Sequence, residues 1–251
     1  MQSNVKRSGR FERNAAQRRW LVQYGAELMI FHLRKIAGTF WKHEFRAGLT
    51  VWIMLMAVLG LAASEPASAA SRRIVVLGDS LSAGFNLSER EAFPAVLEQR
   101  LKARGDDVIV INAGVSGDTA SAGLARLDWA LGQGADLVIV ELGANDMLRG
   151  LDPAVTRKAL DAIVERLQAR KIRVLLAGMK ASPNLGQDYA KRFDTIYPDI
   201  AAQRGVILYP FFLEGVAAQP ALNLPDGMHP NAKGVEAIVD RILPLVDEAL
   251  K

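Results

Sequence analysis

From Arg73 onward, short runs of aliphatic residues alternate with longer stretches in which apolar positions recur every three or four residues. The short runs predict strands at Ile74–Leu77, Val108–Ile111, Asp136–Leu142, Arg173–Ala177 and Val206–Leu208. The longer ones predict helices over Glu91–Arg104, where Val96, Leu97 and Leu101 share a face, and over Thr119–Leu131, Pro153–Arg170, Gln187–Arg204 and Ala232–Leu250. Pro153 suits the first turn of its helix. Pro198 is expected to interrupt or kink the helix that contains it. Strands that are apolar throughout, alternating with helices, imply a parallel sheet covered on both faces. The expected fold class is therefore α/β, a single three-layer domain over 71–251 with about five parallel strands. No repeat, low-complexity tract or linker interrupts it. In such sheets ligands bind at the carboxyl ends of the strands, so the loops after each strand are the place to look for chemistry.

Residues 1–70 follow a different pattern. Ala47–Ser64 is an uncharged, largely apolar run, preceded by Lys42 and Arg46 and followed by Ala67-Ser68-Ala69. Charged, apolar and small-residue segments in that order read as a leader with an export signal, with cleavage expected near 69/70. The run also approaches the length of a membrane span, so a retained anchor is the alternative. With the basic residues cytoplasmic, either reading exports the domain. For a bacterial chain the destination is the periplasm or the outside, or the inner membrane if the leader is retained. Met29 begins a leader of more ordinary length and is an alternative start.

Charge follows the same division. The net +4 of the 251 residues averages a leader of ten Lys or Arg and three acids, within residues 1–46, with a domain of 21 basic and 23 acidic residues. The basic excess lies outside the domain, so no nucleic-acid partner is expected. There are no cysteines, which excludes disulfides, thiolate metal sites, a lipoprotein anchor and a cysteine nucleophile. His32, His43 and His229 are the only histidines, and only His229 is in the domain.

Four loops carry candidate chemistry. The first strand is followed by Gly78-Asp79-Ser80-Leu81, and the second by Gly114-Val115-Ser116-Gly117-Asp118-Thr119. The third is followed by Gly143-Ala144-Asn145-Asp146, and Asp226-Gly227-Met228-His229-Pro230 precedes the last helix. Together they supply a hydroxyl, backbone donors, an amide and an acid–imidazole pair, the parts needed for acyl transfer by a serine nucleophile. Ser80 is the candidate nucleophile. His229, the one imidazole available, is its base. Asp226, three residues earlier, can reach the other ring nitrogen, and Pro230 holds His229 extended. The backbone N–H groups of Ser80 and Gly117 and the amide of Asn145 are candidate oxyanion donors. An imidazole base implies activity that falls on acidification through the ordinary imidazole range, about 6.5. Taken singly, each motif reads as a turn or a cap. Asp79 and Asp118 are expected to be structural, and Asp146 to cap the turn or helix after Asn145. Phe211, Phe212 and Leu213 are expected in the core, with an acyl-groove wall as the alternative.

The segments VVLGDSLSAG, NAGVSGDT, VELGANDMLRG and DGMHPN resemble the four blocks of the SGNH, or GDSL, hydrolase family. They are most similar to its bacterial periplasmic branch of thioesterase I, protease I or lysophospholipase L1, which is arylesterase-like. The resemblance spans essentially 73–247 and places the family's four named residues on Ser80, Gly117, Asn145 and His229, with the aspartate on Asp226. It implies a flavodoxin-like α/β/α fold, a shallow open site, no metal or cofactor, and activity on aryl esters, acyl thioesters and lysophospholipids. In GMKASPNLGQ, Lys180, Ala181 and Ser182 stand where that branch carries an Arg-Leu-Pro-type segment, which leaves acyl-chain preference open.

Rival classes lack their signatures. No G-x-S-x-G elbow, G-x-G-x-x-G or phosphate-binding loop occurs. A carbohydrate O-deacetylase with the same residues is the enzymatic alternative, and an exported binding module the non-enzymatic one. The expected partners are small acyl ester or thioester substrates, with membrane contact only through a retained leader, and a monomer is favoured.

Overall fold

The computed structural model describes residues 71–251. The predicted leader, with its apolar run, cleavage site, Met29, His32 and His43, lies outside the described residues. Five parallel strands, β1 (Arg72–Gly78), β2 (Val108–Gly114), β3 (Leu137–Glu141), β4 (Arg173–Ala177) and β5 (Ile207–Tyr209), form one sheet in the order β2-β1-β3-β4-β5. In chain order the helices are α1 (Ser80–Ala83), α2 (Phe93–Ala103), α3 (Ala120–Ala125), α4 (Leu127–Leu131), α5 (Ala144–Leu148), α6 (Pro153–Ala169), α7 (Gln187–Asp194), α8 (Ile196–Arg204) and α9 (Ala232–Ala249). This is the flavodoxin-like order, with α2 and α9 packed over one face and α4, α6 and α8 over the other.

The apolar runs become the interior strands because both of their faces are covered. β3 is buried along its whole length, and Ile74–Gly78 of β1 likewise. β2 lies at an edge, alternates, and leaves Ile109 exposed. Leu97 and Leu101 from α2 and Ile238 and Ile242 from α9 belong to the same continuous core as Leu160, Ile163 and Tyr197 on the other side. A fully buried Leu or Ile is worth about 1.5–3 kcal/mol. Exposed ion pairs such as Arg104–Asp247 contribute about 1 kcal/mol or less. Apolar burial therefore decides the fold.

The expected strands and long helices are present, with three differences. Thr119–Leu131 is two helices, broken at Arg126, whose guanidinium turns inward to the carbonyls of Ala113 and Gly78. The helix expected to yield at Pro198 breaks instead at Thr195. Pro198 falls in the first turn of α8, where its missing N–H has no helical acceptor to lose. The single-turn helices α1 and α5 were not anticipated, because four or five residues carry no periodicity.

The strand order reverses between β1 and β3, which makes their carboxyl ends the ligand crevice of this topology. There Gly78 is in register with Gly114 on one side and Glu141 on the other. The turn that leaves β1 is pressed against β2. A Cβ added to Gly114 would stand 2.4 Å from the backbone nitrogen of Ala83 and 2.8 Å from its Cα. Backbone cannot be pushed aside as a flexible side chain can. Gly114→Ala should therefore destabilise the domain by about 1–3 kcal/mol. At about 2–4 °C per kcal/mol for a domain of this size, calorimetry should show a drop of several degrees. An unchanged Tm would mean that α1 is free to move off the strand.

Candidate active site

Ser80 is the first residue of α1, directly after the strand. Asp79 caps this single turn, its Oδ1 accepting from the Leu81 N–H at 3.0 Å, and Gly84 closes it in the left-handed region at φ 83°. The acid–imidazole loop is built as locally. An antiparallel bridge joins Asn223 to Pro230, and the Leu224 N–H donates to the His229 carbonyl at 2.7 Å. Asp226 Oδ1 accepts from the N–H groups of Met228 at 2.9 Å and His229 at 3.0 Å. Its Oδ2 lies 2.7 Å from His229 Nδ1, and His229 Nε2 lies 2.9 Å from Ser80 Oγ. The Phe85 ring packs on the imidazole at 4.4 Å between centroids.

The structure thus brings Ser80, His229 and Asp226 into one hydrogen-bonded line. An imidazole with a carboxylate on one nitrogen and a hydroxyl on the other is placed to receive the hydroxyl proton and to bear the resulting charge. The backbone N–H of His229, then that of Met228, then the imidazole hold Asp226 down at about 2. It is a carboxylate throughout the neutral range. Its folded value lies below the unfolded 3.8, so its contribution to stability is present above 3.8 and lost as pH falls toward about 2.

The candidate donors lie on loops after β1, β2 and β3. Among the described residues, neither the Ser80 N–H nor the Gly117 N–H meets a protein acceptor. Gly117 sits at φ 89°, which favours glycine, in a turn closed from Asp118 N–H to the Val115 carbonyl and tied to β1 by Val115 N–H to the Gly78 carbonyl at 3.0 Å. Its own carbonyl accepts from the Arg149 guanidinium at 2.7 Å. Asn145 Nδ2 donates to Asp79 Oδ2 at 3.0 Å, so the residue before the hydroxyl also orients the amide.

Asp146 does not cap the turn after Asn145, as the sequence led us to expect. Gly143 occupies that cap, and Asp146 points inward, fully buried, accepting from the Ala120 N–H at 2.8 Å and from Thr156 Oγ1 at 3.0 Å. Asp118 pairs with Arg126, and Asp79 is structural in the sense expected. Phe212 is a core residue, edge-to-face with Phe93 at 5.1 Å, whereas Phe211 is half-buried with Lys180 Nζ 5.2 Å from its ring centre.

Sequence reasoning missed four residues. Glu141, almost fully buried at 1% exposure, accepts from Ser82 Oγ at 2.7 Å and from the Asp79 N–H at 3.3 Å, beneath the nucleophile turn. A single acid in an otherwise apolar central strand was the signal that could have found it. Arg126 gathers the carbonyl ends of two strands, Arg149 joins two donor loops, and Phe85 packs on the imidazole. Nothing local in the sequence marks those three.

The model of the GDSL-like Lipase/Acylhydrolase family matches residues 76–237. An arylesterase of Vibrio mimicus is 41% identical over 179 residues, covering 71% of this chain and 90% of the relative. Thioesterase 1/protease 1/lysophospholipase L1 of Escherichia coli (strain K12) is 39% identical over 185 residues, covering 72% and 88%. Among solved structures, AlinE4, described as an SGNH-hydrolase family esterase, is 49% identical with a TM-score of 0.61, covering 72% of this chain and 97% of that one.

Packing of an aromatic pair is worth about 0.5–1.5 kcal/mol. If the Phe85 ring holds the imidazole in line with Ser80, Phe85→Ala should lower kcat for an aryl ester about two- to tenfold. Steady-state kinetics check this, and an unchanged kcat would show that Asp226 alone fixes the ring.

Proposed function

The chain belongs to the GDSL-like Lipase/Acylhydrolase family, and from that premise we propose that it is an exported serine esterase using Ser80, His229 and Asp226. It is an ester-hydrolysing enzyme of the arylesterase, thioesterase and lysophospholipase kind. The observation that carries the catalytic assignment is the unbroken line from Ser80 Oγ to His229 Nε2 and from His229 Nδ1 to Asp226.

In this reading His229 takes the Ser80 proton as Oγ attacks the acyl carbonyl. The Ser80 and Gly117 N–H groups and the Asn145 amide receive the oxyanion. Asp226 keeps the ring in the tautomer whose Nε2 accepts, and stabilises the imidazolium. His229 then gives its proton to the leaving group and activates the water that frees the acyl chain. Removing one oxyanion donor ordinarily costs about a hundred- to a thousandfold in kcat. Asn145→Ala should fall in that range with a smaller change in KM, because the donor acts on charge that develops only after attack.

The substrates we propose are aryl esters, acyl thioesters and lysophospholipids with an appreciable acyl chain. Exposed large apolar side chains collect on the loops that carry the site. Phe85 is against His229, Val115 two residues before Gly117, Leu148 three after Asn145, and Met228 beside His229. A rim of that kind supports an apolar acyl group over a sugar acetate. No metal or cofactor enters this scheme. The enzyme acts in the periplasm or outside the cell after cleavage near 69/70, or from the inner membrane if 47–64 is retained.

The test is hydrolysis of p-nitrophenyl esters from acetate to palmitate by the purified enzyme beside Ser80→Ala. Turnover of medium or long chains, lost in the variant, is expected. Turnover confined to acetate would favour a glycan deacetylase, and turnover that survives in Ser80→Ala would end the serine mechanism. N-terminal sequencing of the protein recovered from the periplasm should begin near residue 70, and a cytoplasmic protein with an intact leader would refute export.

A further inference from the structure

Two carboxyl groups lie beneath Ser80, and the mechanism uses neither for chemistry. Asp79 is fully buried and Glu141 nearly so, and among the described residues no cation forms an ion pair with either. Their donors are divided unequally. Each oxygen of Asp79 meets one donor, Oδ1 the Leu81 N–H and Oδ2 the Asn145 amide, both at 3.0 Å. Glu141 has both of its donors on Oε2, Ser82 Oγ at 2.7 Å and the Asp79 N–H at 3.3 Å, while Oε1 is buried with no partner.

Two buried carboxylates, joined through the Asp79 N–H with no cation to offset them, are strongly disfavoured as a doubly ionised pair. The charge settles where both oxygens are solvated by donors, and that is Asp79. An un-ionised acid needs donors on its carbonyl oxygen, and a buried hydroxyl without an acceptor costs less than a buried carboxylate oxygen without a donor. Glu141 has them there, and its unpartnered oxygen is the one that can carry the proton. The two groups gripped by Oε2 belong to the residues one before and two after the nucleophile.

We propose that Glu141 is held as an un-ionised acid beneath Ser80 and acts as a positioning residue, its carbonyl oxygen clamping the turn on both sides of the nucleophile while Asp79 keeps the single negative charge that orients Asn145. The positioning half of this rests on Ser80 being the nucleophile; the protonation half does not. Burial, and then the charge of Asp79, push Glu141 well above the usual carboxylate range. Burial pushes Asp79 up to about 6, against the pull of Leu81, Asn145 and His229. The other titratable or charged groups around the pair are Asp118 and Arg126, which lie between β2 and α4, Asp146 of α5 and Tyr197 of α8.

A folded value raised above the unfolded 4.5 means that the folded protein keeps a proton the unfolded chain releases. Stability then falls as pH rises above 4.5, and goes on falling up to the folded value. Gln in place of Glu141 reproduces the neutral acid without that penalty. The melting temperature of Glu141→Gln should therefore gain steadily on the wild type from pH 4.5 to pH 8. Infrared spectra of the purified enzyme at pH 8 should contain the carbonyl stretch of a protonated carboxylic acid that is missing in Glu141→Gln. Glu141→Gln should keep kcat within about fivefold, whereas Glu141→Ala should lose about a hundredfold in kcat with little change in KM, the cost of a slightly misplaced nucleophile. A melting-temperature difference independent of pH, with no protonated-acid band, would show Glu141 ionised and overturn the proposal. So would a Glu141→Ala enzyme with wild-type kcat. Band and melting curves are also read in Ser80→Ala, which separates failure of this inference from failure of the serine mechanism.

Discussion

The close approach of α1 to the ends of three strands sets the geometry of the site. A helix of four residues has no stability of its own, since nucleation is not offset by propagation over so short a run. Here it is imposed from outside. Gly78 and Gly114 leave no Cβ between the turn and the sheet, and Asp79 caps it. Glu141 holds it from below, and Asn112 of β2 reaches the Ala83 carbonyl at 3.4 Å. Arg126 completes the arrangement by donating to the carbonyls of Gly78 and Ala113 at the two strand ends, at 2.9 and 2.7 Å. The price is a polar layer in the middle of an apolar fold, where every group but Glu141 Oε1 is matched by a partner inside the protein. That layer holds the turn on which Ser80 stands, and His229 meets the hydroxyl from the other side.

The two halves of the site are held by different physics. Asp226 and His229 are partly exposed and three residues apart, so the carboxylate stays hydrated and little chain entropy is lost in bringing the two together. Geometry there comes from a tight loop whose backbone N–H groups point at the carboxylate. The Ser80 half rests on buried Asp79, Ser82 and Glu141 and joins residues far apart in sequence, Asp79 to Asn145 and Glu141 to Ser82. Such contacts form only once the sheet has formed. The exposed half can adjust to a substrate at small cost, and the buried half cannot.

This division also explains what the sequence disclosed. Strands, long helices and layer order were legible because burial imposes period and composition on them. The candidate site residues stood out because their motifs follow strands or precede the last helix and the domain holds one histidine; the structure joins Ser80, His229 and Asp226 by hydrogen bonds. Asp146 was misread because its partners, Ala120 and Thr156, come from other elements, and an acid in a turn after a glycine looks like a local cap. The break at Thr195 was misplaced because a proline announces a helix boundary without saying on which side of it the helix resumes. Glu141, Arg126 and Phe85 act across the sheet or across a loop, and local pattern carries no information about such partners.

The ionisation of the buried pair bears on the reaction as well as on stability. In the proposed mechanism an oxyanion forming above Ser80 is opposed by every negative charge beneath it. Two unit charges about 4 Å apart repel by roughly 4 kcal/mol at an effective dielectric constant of about 20. Asp79 carries its charge under this constraint, but it spends that charge on the Asn145 amide and the Leu81 N–H, whose dipoles partly cancel its field. A second carboxylate at Glu141 would be offset less evenly, since both of its donors reach Oε2 and Oε1 meets none. Keeping that acid neutral lets the enzyme clamp the turn with a strong acceptor without adding charge where the transition state can least tolerate it. Aspartate for orientation and a protonated glutamate for support are thus one solution to two demands: a rigid nucleophile and a positive potential above it.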